Sequence, residues 1–132
     1  MKIIFDFPPN IAEIKTAIPG MRDRRVVFTY GDTLYNPFGG QITQDLLAHE
    51  MEHQRQQLMM GPDKWWKKYL SDRQFRAVQE AMAYRKQYEA AAKWPRIQRR
   101  ELLMRLKRDL SSPIYGNIIT MRDASKLITG RE

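Results

Sequence analysis

Residues 43–60 read TQDLLAHEMEHQRQQLMM, and the spacing inside this run predicts a helix. Thr43 is an N-cap residue type, Ile42 and Leu47 sit at the positions of a hydrophobic staple, and Asp45 suits the positive end of the helix dipole. Gly61-Pro62 then stops the helix. Both histidines of the chain fall inside it, in His49-Glu50-Met51-Glu52-His53. Residues four apart in a helix are rotated by ~40° and stacked one turn apart, so two imidazoles at this spacing can reach one ion. Glu50 is rotated by ~100° from His49, which sets its carboxylate beside such an ion and outside its coordination sphere. An H-E-x-x-H run arises by chance in a chain of this length on the order of 0.3% of the time, which favours metal binding over two merely packed histidines. Two neutral nitrogens point to zinc before magnesium or calcium.

Two histidines do not close a site, because a catalytic zinc takes three protein ligands and a water. The chain has no third histidine and no cysteine, so the third ligand is an acid, from Asp72, Glu80, Glu89 or Glu101. Glu80 is preferred. It lies inside the next long helix, which can pack antiparallel on the first; Ala77, Ala81 and Ala83 permit close approach; and Tyr84 follows one turn later on the same face, able to orient a carboxylate or donate to a reacting oxygen.

Working outward, residues 2–7 and 25–30 read as strands, with a helix between them capped by Asn10, carrying Ile11, Ile14 and Ile18, and closed by Pro19-Gly20. Gly31-Asp32 marks a turn into a third short strand, residues 33–36. After the first long helix, residues 63–70 form a short helix with Trp65, Trp66 and Tyr69, read as a core lid. Ser71-Asp72-Arg73-Gln74 opens a helix to about Lys93, residues 95–110 form a basic helix, and Thr120 caps a last helix ending at Gly130. This is a single α+β domain over residues 1–132, mainly helical, with a small antiparallel or mixed N-terminal sheet.

The chain has 132 residues, 42% hydrophobic and 29% charged, which is the composition of one globular domain. The absence of cysteine excludes disulfides, thiolate ligands and thiol nucleophiles. No apolar run suits a signal segment or membrane span, so a cytosol-like compartment and no membrane partner are expected. The eight methionines read as core filler. The net charge is +8, and Lys93, Arg96, Arg99, Arg100, Arg105, Lys107 and Arg108 face only Glu101 and Asp109 between positions 93 and 109. Leu102, Leu103, Leu106 and Leu110 recur at helical spacing there, so these cations form a solvated face first and a nucleic-acid contact second.

Residues 46–57, LLAHEMEHQRQQ, resemble the active-site helix of zincin metallopeptidases, and Glu80 in QEAMAYRKQ resembles the downstream glutamate ligand of the gluzincin branch. The strand–helix–strand–strand–helix order is similar to the N-terminal half of that fold, and the size resembles minimal single-domain gluzincins and small HExxH proteins of phage genomes. The resemblance implies zinc-dependent hydrolysis of a peptide or protein substrate, with His49, His53 and Glu80 on Zn2+ and Glu50 as general base. It also implies an edge strand, here Thr33, Leu34, Tyr35 and Asn36, that pairs with the substrate. Larger gluzincins place a histidine or tyrosine at the oxyanion; this chain offers Tyr115 or Tyr84. The rival expectation is a non-catalytic, zinc-stabilised particle or binding protein that meets a virion or host protein, or nucleic acid, through the basic helix, in a host cytoplasm or virion.

Overall fold

The structure, a computed structural model, describes residues 1–19 and 26–131. β1 (Lys2–Ile4), α1 (Ile11–Ala17), β2 (Phe28–Tyr30) and β3 (Thr33–Tyr35) come first in the chain. They are followed by α2 (Gln44–Met60), α3 (Pro62–Ser71), α4 (Arg73–Ala90), α5 (Arg96–Leu110) and α6 (Met121–Thr129), with a 3₁₀ turn at Pro113–Tyr115 before α6. The molecule is mixed α+β and mainly helical, as its patterning predicts. Gly20 and Arg25, which close the first predicted helix and open the second predicted strand, lie outside the described residues.

The sheet is mixed, in the order β1-β3-β2. β2 and β3 form a hairpin over Gly31-Asp32, where Gly31 takes φ +63, a conformation that L side chains resist. β1 runs parallel to β3 on the other side. One expectation is therefore corrected. Thr33, Leu34 and Tyr35 form the central strand, with Asn36 just beyond it, and both sides of that strand are already paired. It offers no edge to a substrate. The strands are also shorter than their β-rich runs suggested, because three residues of β3 limit the ladder available to either neighbour.

Caps set the helices. Gly61, at φ +87, ends α2 and begins α3. Asp72 accepts from the Phe75 N–H at 3.0 Å, so it is Asp72 and not Ser71 that opens α4, which stops at Ala90 instead of Lys93. Thr120 accepts from the Asp123 N–H at 3.1 Å, as the spacing predicts for α6. Thr43 and Asn10 precede their helices, but neither side chain makes a capping bond.

Two apolar clusters hold these elements. Ile14, Ile18, Phe28, Trp65, Trp66 and Tyr69 join α1, β2 and α3. Leu102, Leu106 and Leu110 of α5 pack with Ala77, Ala81 and Tyr84 of α4, with Tyr115, and with Ala124 and Ile128 of α6. The basic side of α5 is turned outward, with Arg96, Arg100, Arg105 and Arg108 exposed. Arg99 lies 3.8 Å over the Tyr88 ring.

α2 is built the other way round. Its buried residues are Asp45, His49, Glu50, Glu52, His53, Gln56 and Gln57, all polar, while Met51, Leu58 and Met59 are exposed. Burying polar groups is unfavourable unless each is partnered, so an inward polar face of this length marks a site.

Candidate metal centre

α2 and α4 lie side by side and antiparallel: His49 pairs with Gln87, His53 with Glu80, and Gln56 with the Gln79 carbonyl, so positions rise on one helix as they fall on the other. The 10-residue α3 makes this reversal possible. Ala77, Ala81 and Ala83 are all buried on α4, and Ala77 and Ala81 belong with Tyr84 to the apolar cluster shared with α5 and α6.

Three ligand atoms converge. His49 Nε2 is 3.0 Å and His53 Nε2 3.1 Å from Glu80 Oε1, and the two Nε2 atoms are 3.2 Å apart. All three residues are buried. Two imidazole nitrogens and a carboxylate oxygen are a zinc donor set. Tetrahedral zinc at ~2.0–2.1 Å from each ligand spaces them by ~3.4 Å, so this triangle is a slightly tight tetrahedral face. The residues fit the ion.

The ring orientation also fits. Each Nδ1 meets a glutamine carboxamide oxygen, Gln87 Oε1 at 3.0 Å for His49 and Gln56 Oε1 at 2.9 Å for His53. A carboxamide oxygen only accepts, so each neutral ring carries its proton on Nδ1 and turns the Nε2 lone pair to the shared point. Glu80 Oε2 accepts from the Tyr69 hydroxyl, which leaves Oε1 for the shared point. Burial and the Glu80 carboxylate push the Tyr69 phenol well above its usual range, so it stays a donor. This carboxylate is oriented by Tyr69 and not, as expected, by Tyr84, whose hydroxyl lies 3.2 Å from that of Tyr115.

Glu50 stands beside the triangle and outside it, with Oε2 3.7 Å from His49 Nε2. Its other oxygen accepts from the Thr29 hydroxyl of β2 at 2.9 Å. Burial raises its pKa, while the two imidazoles and the Thr29 bond pull the other way, and the net direction is upward. A raised carboxylate is a stronger base. β2 is tied to α2 a second time through Gln57, which donates to the Thr29 carbonyl at 2.8 Å and accepts from the Gly31 N–H at 2.7 Å.

A cavity of about 530 Å³ opens over these groups. His49, Glu50, His53, Glu80, Tyr84 and Tyr115 line it, together with Ile14, Ile18 and residues 26–29 on one side and Arg105 and Asp109 on the other. Leu34 is fully buried, and none of residues 33–36 lines the cavity. The strand at the site is β2.

Tyr69, Gln56, Gln87 and Thr29 belong to the site without a motif that announces them. Gln87 carries a signal, seven residues after Glu80 and so on the same helix face; Gln56 follows His53 by three. Of the other acids considered as ligands, Asp72 caps α4, Glu101 is exposed on α5, and Glu89 is exposed and pairs with Arg85 and Lys86. If these residues hold zinc, Glu80→Ala is expected to weaken its binding by more than the ~10–100-fold that outer partners cost, and Glu89→Ala to leave it unchanged. Chelator competition measures both, and the reverse order would move the ligand.

The same three residues form a coupled acid–base group. Burial lowers the His53 pKa, but the Glu80 carboxylate against Nε2 outweighs it and the value rises to about 9. Glu80 is held far below the usual carboxylate range: burial raises it, and His53 and His49 more than reverse this. A raised folded pKa stabilises below the ordinary value of 6.5 and loses that contribution as pH climbs through about 9. Metal-free protein is therefore expected to lose stability as pH climbs from 6.5 through about 9, and protein with zinc on these residues to lack that decline. Thermal melts across that window measure it; a metal-free melting temperature flat over the range would contradict the pairing.

No protein-family model matches the chain, and no curated protein and no solved structure matches it either. Among the described residues, no helix is long and apolar enough to cross a membrane.

Proposed function

We propose that the protein is a zinc metallopeptidase of the HExxH type with a zincin-like active site, hydrolysing peptide bonds in the cavity over α2. The observation that carries this reading is the meeting of His49 Nε2, His53 Nε2 and Glu80 Oε1 within 3.2 Å of one another, with the Glu50 carboxylate just outside. A purely structural zinc site has closed coordination and no use for a buried, unligated carboxylate beside it. Glu50 favours an enzyme.

His49, His53 and Glu80 would hold the zinc, which when bound would supply Lewis acidity for a peptide carbonyl and lower the pKa of water to ~7. Thr29 holds Glu50 Oε1, so Oε2 is the oxygen that takes the proton from the attacking water. Glu50 then passes that proton to the amine nitrogen as the C–N bond breaks. Tyr84 and Tyr115 both stay protonated, raised by burial first and by neighbouring groups second. In a pair of hydroxyls bonded to one another only one proton is used, so the pair keeps a second for the developing oxyanion. An extended peptide lies along β2, where residues 26–29 line the cavity, and not along β3.

The test is a library of unstructured peptides incubated with zinc-reconstituted protein, the new termini being identified by mass spectrometry. Cleavage that stops with a chelator and returns with zinc is the expected result. A protein holding one zinc per chain that cuts nothing in such a library would leave a non-catalytic zinc protein in its place.

A further inference from the structure

The two histidines hang from two separate chains of buried polar groups that end on acids. On one side, Gln87, whose oxygen meets His49 Nδ1, donates from its Nε2 to Asp45 Oδ2 at 2.8 Å. On the other, Gln56, whose oxygen meets His53 Nδ1, donates from its Nε2 to Glu52 Oε2 at 3.2 Å and to the Gln79 carbonyl at 3.1 Å. Asp45, Glu52, Gln56 and Gln87 are each no more than 5% exposed. We propose that Asp45 and Glu52 are positioning residues for the metal ligands, each fixing the tautomer of one histidine through an intervening glutamine; the proposal rests on the metal reading above.

The two ends of a carboxamide are not interchangeable in these chains. A glutamine side chain flipped by half a turn has nearly the same shape but presents NH2 where it had an oxygen. Facing a histidine Nδ1, that NH2 would demand a lone pair there and send the ring proton to Nε2, the atom aimed at the ion. A ring in that state cannot bind. Carboxylates only accept, as does the Gln79 carbonyl that shares the Gln56 NH2 with Glu52, so these acceptors admit the NH2 end alone and force each oxygen onto its ring. Glu52 is itself held by Arg55 through Nε at 2.8 Å and Nη2 at 2.7 Å. The intervening amide also keeps both acid charges one group away from the imidazoles. Direct carboxylate partners would make the ligands more basic.

Zinc affinity measured by chelator competition tests this. Asp45→Ala and Glu52→Ala are each expected to lower affinity ~10–100-fold. In a Gln87→Leu background, Asp45→Ala should add no further loss, because its effect passes through Gln87; Glu52→Ala should likewise add none to Gln56→Leu. Additive losses, or wild-type affinity in the single variants, would overturn the proposal. A second measurement needs no variant: 15N NMR of the zinc-loaded wild type should show protons on Nδ1 and metal on Nε2 in both rings, and the opposite arrangement in either would overturn it. Wild-type protein that takes up no zinc would defeat the metal reading itself, whereas tight wild-type binding with indifferent variants defeats the positioning role alone.

Discussion

Glu50→Gln is expected to bind zinc as the wild type does and to hydrolyse peptides ~10²–10⁴-fold more slowly, the usual contribution of a positioned general base. The two halves of this result have separate causes. The variant keeps its metal because Glu50 is no member of the converging triangle: its nearer oxygen is 3.7 Å from His49 Nε2, and its other oxygen is engaged by Thr29. A glutamine oxygen accepts the same Thr29 bond, so the side chain stays in place. What disappears is the ability to receive a proton, since an amide is not a base near neutral pH. Zinc content and initial rates on one cleaved peptide decide it together. A variant as active as the wild type would assign the cleavage to another group.

His49→Ala and His53→Ala should each abolish stoichiometric zinc binding and all hydrolysis with it. Each substitution leaves one imidazole and one carboxylate, and the chain holds no other histidine and no cysteine to replace what was lost. The same variants should lose the response of stability to metal. A ligand that binds only the folded state at a thousand times its Kd stabilises by ~4 kcal/mol, so the wild-type melting temperature should rise with added zinc. That of the variants should not move. A zinc-dependent rise in either would place the ion elsewhere.

How much of this was legible in the sequence varies with range. His49, Glu50 and His53 are fixed by spacing within one helix, and a helix is a rigid ruler. Glu80 stands out among the four acids because its helix can pack antiparallel on α2 and carries small residues and Tyr84 beside it, and the structure brings it to the histidines. Tyr69 reads in the sequence as a packing residue, and it does pack against Trp65 and Trp66, yet its hydroxyl reaches Glu80. An aromatic ring on a short helix says nothing of where its polar tip ends. The glutamines were invisible for a related reason: an uncharged amide looks alike on a wet surface and in a buried chain. The polar residues 45, 49, 52, 53 and 56 follow helical spacing, and that stripe was the available clue. Strand order was out of reach, because three three-residue strands carry too little pattern to say which one is central. The expectation of an edge at residues 33–36 came from resemblance alone.

The inverted face of α2 has a consequence for how the protein comes apart. A segment that leaves oil behind when it detaches is held by water's dislike of oil, but this one would mostly hand carboxylates, amides and imidazoles back to solvent that welcomes them. Its attachment is therefore a matter of ion and hydrogen bond. Stripped by a chelator, α2 should be the first long helix to exchange its backbone amides and to admit a protease, while α5, anchored by Leu102, Leu106 and Leu110, stays shut.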